Sequence, residues 1–113
     1  MVSDHRYTRL DTLLHSRIRL AIVASLVGVE EMDFTELRDV VGATDGNLNT
    51  HLKKLEQAGY IAVRKAFVER KPLTSYRLTD KGRKSFRAYV QALEGFITER
   101  ARGSGRRGNV RGM

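Results

Sequence analysis

Apolar residues recur along the chain at two periods, and the change from one to the other divides it into elements. Leu10, Leu13 and Leu14 stand at helical spacing and begin the ordered part. Ser16 is a suitable N-cap. From Ile18 to Val27 almost every side is apolar, through Leu20, Ala21, Ile22, Val23, Ala24 and Leu26. A helix of that kind is buried on more than one face, and in a chain this short a second subunit can supply the second burying surface. Gly28 ends it. Met32, Asp33 and Phe34 form an extended link. Thr35 reads as the cap of a short helix with Glu36 in its first turn, apolar positions Leu37, Val40 and Val41, and Gly42 as the residue that stops it.

Only Ala43 and Thr44 intervene before the next helical pattern, capped by Thr44 or Asp45. Leu48, Leu52 and Leu55 recur at i, i+4 and i+7 and define one buried face, and Gly59 ends the helix. Two helices joined by a tight turn at Gly42 have the layout of a helix-turn-helix. From Tyr60 the period shortens. Tyr60 to Val63 and Ala66 to Val68 are rich in strand formers, Glu69-Arg70-Lys71-Pro72 is a polar turn, and Thr74 to Leu78 alternates, which together predict a β-hairpin with a basic tip. Thr79 caps a last helix with Asp80 near its N-terminus. Its apolar stripe is Phe86, Tyr89, Val90, Leu93, Phe96 and Ile97. A helix of about 20 residues spans about 30 Å, more than a core this small covers, so the surplus apolar length calls for a partner.

The organisation expected is an N-terminal extension over 1–8, one domain over 9–100 whose last helix occupies about 80–100, and a disordered Arg/Gly-rich tail over 101–113. The fold class is mainly α with a small β-hairpin (α+β), a winged helix-turn-helix whose terminal helices form a dimer interface.

Charge sharpens this picture. Residues 1–42 carry a net −2, residues 43–100 a net +6, and the last 13 residues add four arginines without an acid. A chain basic in one part and mildly acidic in another suggests one surface built for a polyanion. The absence of cysteine removes disulfides, thiolate metal sites and a cysteine nucleophile together. The three histidines, His5, His15 and His51, read as packing or surface residues rather than metal ligands. No apolar run is long enough for a transmembrane helix, and the polar N-terminus has no signal-peptide core, so a cytoplasmic protein without a membrane partner is expected.

The run FTELRDVVGATDGNLNTHLKKLEQAGYI, followed by RKPLTSYRLTDKGR, resembles the small MarR/ArsR-like winged-helix regulators over about residues 10 to 98. In that group a G-N-L-x-x-H-L-x-K-L-E-x-A-G-Y run, here Gly46 to Tyr60, forms the recognition helix and enters the wing. An L-T-x-x-G-R run, here Leu78 to Arg83, starts the helix after it. The resemblance implies a homodimeric transcriptional regulator that binds double-stranded DNA. The sequence holds no nucleophile with a neighbouring base, no phosphate-cradling glycine loop and no metal-ligand spacing, so no catalytic residue and no cofactor are expected. A small-molecule effector at the dimer interface, or between the long helices and the DNA-binding lobe, is left open.

With the three leucines inward, Gly46, Asn47, Asn49, Thr50, Lys53 and Lys54 occupy the other faces of the recognition helix. Asn pairs bidentately with adenine and Thr contacts a base edge or a thymine methyl, so Asn47, Asn49 and Thr50 are the candidates for base contacts. Gly46 permits close approach. Lys53, Lys54 and Thr44 are assigned to phosphates. In the wing, Lys65, Arg70 and Lys71 surround the tip, with Arg70 the candidate for a minor-groove contact. Arg64 and Arg77 are free to pair with acids such as Glu69. The dimer interface is expected at Leu10, Leu13, Leu14, Ile22, Tyr89, Leu93, Phe96 and Ile97. Two other readings compete with sequence-specific binding: a winged helix used as a protein adaptor, and a non-specific DNA-binding protein. An adaptor predicts neutral or acidic residues where this chain has Asn, Thr, Lys and Arg.

Overall fold

The structure is a computed structural model that describes residues 11–103, with side chains to residue 98. Helix α1 spans Arg17–Val27, strand β1 Met32–Asp33, α2 Phe34–Val41, α3 Asp45–Gln57, β2 Ile61–Val68, β3 Lys71–Leu78 and α4 Asp80–Gly103. This is an α+β winged helix. Among the described residues no helix is long and apolar enough to cross a membrane.

Helix α1 starts where predicted: the Ser16 hydroxyl accepts a hydrogen bond from the Arg19 N–H at 3.3 Å. It is the hub of the fold, packing against α2, α3, α4 and β3 and burying Ile22, Val23 and Leu26. The stretch before it differs from expectation. Residues 12–14 make a turn, not a helix, closed by the Leu14 N–H donating to the Asp11 carbonyl at 3.1 Å. Leu10 lies outside the described residues.

The cap of α2 is Asp33 rather than Thr35. Asp33 Oδ1 accepts from the Glu36 N–H at 2.8 Å, and Glu36 Oε1 accepts from the Asp33 N–H at 2.9 Å. This reciprocal capping box satisfies two helix-end donors together, where a cap at Thr35, two residues later, would satisfy one. The link before it is also more than a link. Met32 pairs with Tyr76 and Asp33 with Ser75, so the sheet has three antiparallel strands in the order β1-β3-β2.

Gly42 ends α2 in the left-handed conformation, at φ 72°. Helix α3 is capped by Thr44, whose hydroxyl accepts from the Asn47 N–H at 3.2 Å. Leu48, Leu52 and Leu55 are buried, as their spacing predicts. Its C-terminus closes with the Tyr60 N–H on the Leu55 carbonyl and the Gly59 N–H on the Glu56 carbonyl, both at 2.9 Å, with Gly59 at φ 80°. These are the paired bonds of a Schellman ending.

The hairpin turn is shorter than the predicted four residues. Val68 pairs with Lys71 and Phe67 with Pro72, so Glu69 and Arg70 alone make the connection, at φ 53° and 69°. Two successive positive φ values give a turn whose twist matches the strands it joins. Pro72 sits inside β3 where β1, which reaches only Ser75 and Tyr76, does not flank it, so its missing N–H breaks no ladder on that side.

Helix α4 is locked to the end of α3 by Thr79. Its hydroxyl donates to the Gly59 carbonyl at 2.6 Å and accepts from the Gly82 N–H at 3.0 Å. The helix then runs through Gly103, so the boundary placed at Ala101 moves three residues outward. The rest of the tail and the N-terminal extension lie outside the described residues.

The core gathers Leu14, Ile22, Val23, Leu26, Leu37, Leu48, Leu52, Leu55, Ile61, Tyr76, Leu78 and Tyr89. Three of these correct the expected dimer interface. Leu14 and Ile22 are 0% exposed and Tyr89 5%, so their side chains are enclosed by their own chain. Tyr89 also holds His15, hydroxyl to Nδ1, at 3.1 Å. An apolar stripe specifies that a face is buried, not which molecule covers it. Leu13 is half-buried against the same core, whereas Leu93 and Ile97 are exposed, Ile97 by 58%.

Candidate nucleic-acid interface

Burial of Leu48, Leu52 and Leu55 turns the remaining faces of α3 to solvent. Thr44, Gly46, Asn47, Asn49, Thr50, Lys53 and Lys54 are all exposed. A Cβ added at Gly46 would meet nothing of the chain within 4 Å, so the fold itself does not require a glycine there. The Thr50 hydroxyl donates back to the Gly46 carbonyl at 3.0 Å, and its oxygen keeps the capacity to accept a further hydrogen bond.

The wing stands beside this helix. A groove of about 230 Å³ between them is lined by Asn49, Leu52, Lys53 and Glu56 from α3 and by Val63, Lys65, Thr74 and Tyr76 from the sheet. The fold thus brings Asn49, Lys53 and Lys65 together, three residues that the sequence places up to 16 positions apart. Arg70 and Lys71 are exposed at the wing tip, away from the groove. Arg64 pairs with Glu31, not with Glu69: its guanidinium donates to both carboxylate oxygens, at 3.2 and 2.5 Å. That hydrogen-bonded cation holds the Glu31 carboxyl below its ordinary pKa.

Sequence reasoning missed two residues that support α3. Arg38 of α2 reaches across the turn to Asp45 at 3.0 Å and lies 3.6 Å from Asp39. The pair links α2 to the start of α3 across the turn, at the exposed surface. No local pattern reveals this, because the two residues lie in different helices. Arg19 of α1 donates its Nε–H to the Leu13 carbonyl at 2.6 Å and packs Nη1 against His51 Nδ1 at 2.9 Å. A guanidinium only donates, so His51 accepts at Nδ1 and is neutral, with its proton on Nε2.

Burial, and then the positive charges of Arg19 and Lys54, lower the His51 pKa. The sign follows. A histidine held neutral by the fold binds more protons when unfolded, so its contribution is present above the unfolded value of about 6.5 and is lost as pH falls through the lower folded value. Between about pH 7 and pH 5, denaturant midpoints of the wild type should fall more steeply than those of His51→Gln. Parallel slopes would rule the histidine out.

Residues 18–97 match the family described as winged helix DNA-binding domain. The chain belongs to that family. An uncharacterised protein of Methanocaldococcus jannaschii is 37% identical over 81 residues, or 72% of this chain and 88% of the relative. Among solved structures, a transcriptional regulator homologue from Pyrococcus horikoshii OT3 is similar at TM-score 0.74 and 27% identity, covering 79% of this chain and 88% of that one. Bacillus subtilis PadR, solved in complex with operator DNA, shares the fold at TM-score 0.58 and 22% identity, over 64% of this chain and 46% of PadR. The MarR/ArsR-like resemblance therefore holds at the level of the winged-helix DNA-binding regulators of transcription. Within that fold α3 occupies the place of the recognition helix and the β2–β3 hairpin that of the wing.

Proposed function

We propose that the protein is a homodimeric, sequence-specific regulator that occupies a pseudo-palindromic operator in double-stranded DNA and represses transcription by excluding other proteins from it. One observation carries this reading: the polar, cationic face of α3 is wholly exposed and continuous, through Asn49, Lys53 and Lys65, with the wing. Asn47, Asn49 and Thr50 read base edges in the major groove, with Gly46 allowing the helix to approach. Thr44, Lys53, Lys54, Lys65 and Lys71 hold phosphates, and Arg70 enters the flanking minor groove. PadR, a relative in fold, binds operator DNA.

The dimer rests on the outer half of α4. Leu93 and Ile97 lie one turn apart and are both exposed, with half-buried Phe96 beside them. A second copy packed there would place two recognition helices about 34 Å apart, one turn of DNA. Selection of genomic fragments at about 150 mM salt, where backbone-only attraction is weakened, should recover inverted repeats with the wild type. Ile97→Asp should sediment as a monomer and recover single half-sites at best. Selection of no preferred sequence by the wild type would leave an adaptor or a non-specific DNA-binding protein.

A further inference from the structure

The most exposed large apolar side chain of the wing, Phe67 at 76%, takes no part in the core. The strand register says which way it points. In an antiparallel pair, directly opposed residues share a face, and Val63↔Tyr76, Lys65↔Thr74 and Phe67↔Pro72 are opposed. The first two of these pairs line the groove beside α3. Phe67 and Pro72 therefore continue the face that looks toward the recognition helix, and two residues of strand carry Phe67 about 7 Å beyond Lys65. Val68, half exposed, adds apolar surface on the other side of the tip.

The apolar end is set among charges. Lys65 lies behind Phe67 on its own face, Arg70 is in the turn, and Lys71 flanks it, against the single acid Glu69. An exposed aromatic ring ringed by cations suits a partner that is anionic outside and apolar between its planes. Stacked base pairs behind a phosphate backbone have that construction. Apolar side chains enter the minor groove and part base steps that unstack easily, and pyrimidine–purine steps are the most deformable.

Building on the DNA-binding reading above, we infer that Phe67 is an apolar wedge that enters the minor groove beside each half-site and selects a deformable pyrimidine–purine step there. Specificity then has two sources: base contacts from α3, and deformability of the flank sensed through Phe67.

The test compares wild type, Phe67→Ala and Phe67→Leu in parallel selections from a random-sequence duplex pool. End-to-end energy transfer on the recovered duplexes then reports bending. All three should fold alike, because the side chain is exposed, and matching thermal unfolding curves check this. Wild type should recover a core motif with an outlying pyrimidine–purine step preferred roughly tenfold, in line with the usual cost of one mismatched position. Phe67→Ala should keep the core motif, lose the flank preference and bend the duplex less, while Phe67→Leu keeps much of both. An unchanged flank and bend in Phe67→Ala would overturn the wedge and leave the regulator standing. Failure of the wild type to recover any motif would overturn both.

Discussion

Gly82→Ala should lower the stability of the domain by about 3 kcal/mol, at the upper end of what overpacking costs, and its melting temperature by roughly 15 °C. A Cβ built on Gly82 would lie 2.2 Å from the Tyr60 carbonyl oxygen, 3.0 Å from the Tyr60 carbonyl carbon and 2.8 Å from a Leu78 methyl. The main obstacle is backbone, which does not rotate away. The same carbonyl accepts the Thr79 N–H at 3.0 Å, so retreat of either partner breaks the joint between α3, β2 and α4. Gly95 supplies the control. It lies in α4 with nothing within 4 Å of an added Cβ, and Gly95→Ala should stabilise by up to about 1 kcal/mol through helix propensity alone. Thermal and denaturant unfolding of both variants decides the matter, and a Gly82→Ala midpoint close to wild type would refute the steric argument.

Asn49→Ala should weaken binding to the selected duplex by about 1–3 kcal/mol, roughly 5- to 150-fold, the range for loss of one bidentate base contact. Affinity for unrelated duplexes should stay where it was. Asn49 is on the flank of α3 that faces the wing, and among the described residues no hydrogen bond holds its side chain. Lys53→Ala, one turn on, should behave differently. It should weaken binding to every duplex alike and reduce the dependence on salt by about one phosphate. Titrations of both variants against selected and unrelated duplexes, at two salt concentrations, separate the roles. Equal losses on both duplexes for Asn49→Ala would remove it from base reading.

Much of the fold was legible because it follows from local rules. The Leu48, Leu52 and Leu55 spacing, Gly42 after α2, and the caps at Ser16, Thr44 and Thr79 each depend on residues within a turn of one another. What escaped depends on distance or on an unfavoured choice. A two-residue strand such as Met32–Asp33 is too short to alternate, and only its pairing with β3 makes it a strand. Glu69 and Arg70 are poor advertisements for a turn with two positive φ values, where Asn and Gly are the usual residues, and Pro72 drew the turn outward. The Asp-x-x-Glu signal for the cap of α2 was present at Asp33 and Glu36, and the neighbouring threonine obscured it.

The candidate site divides in the same way. The exposed residues of α3 follow from its buried leucines, so the face could be drawn before the fold was known. Its supports could not. Arg38 with Asp45, Arg64 with Glu31 and Arg19 with His51 join residues 7, 33 and 32 positions apart. For α4, periodicity identified an apolar stripe but could not apportion it. Tyr89 belongs to the core, while Leu93 and Ile97 remain on the surface.

The wing works as a ruler with fixed graduations. Eight opposed residue pairs run from Ile61↔Leu78 to Val68↔Lys71, and a connection of only two residues leaves no slack at the end. Lengthening both strands by two residues would carry the tip about 7 Å further out and return every side chain to the face it had. Inserting one residue in a single strand would turn the outer part of that strand over, exchanging the position of Phe67 for that of Val68. Relatives that differ in wing length should therefore differ by even steps, each step, on the DNA-binding reading proposed above, setting a new spacing between the bases at the helix and the DNA at the tip.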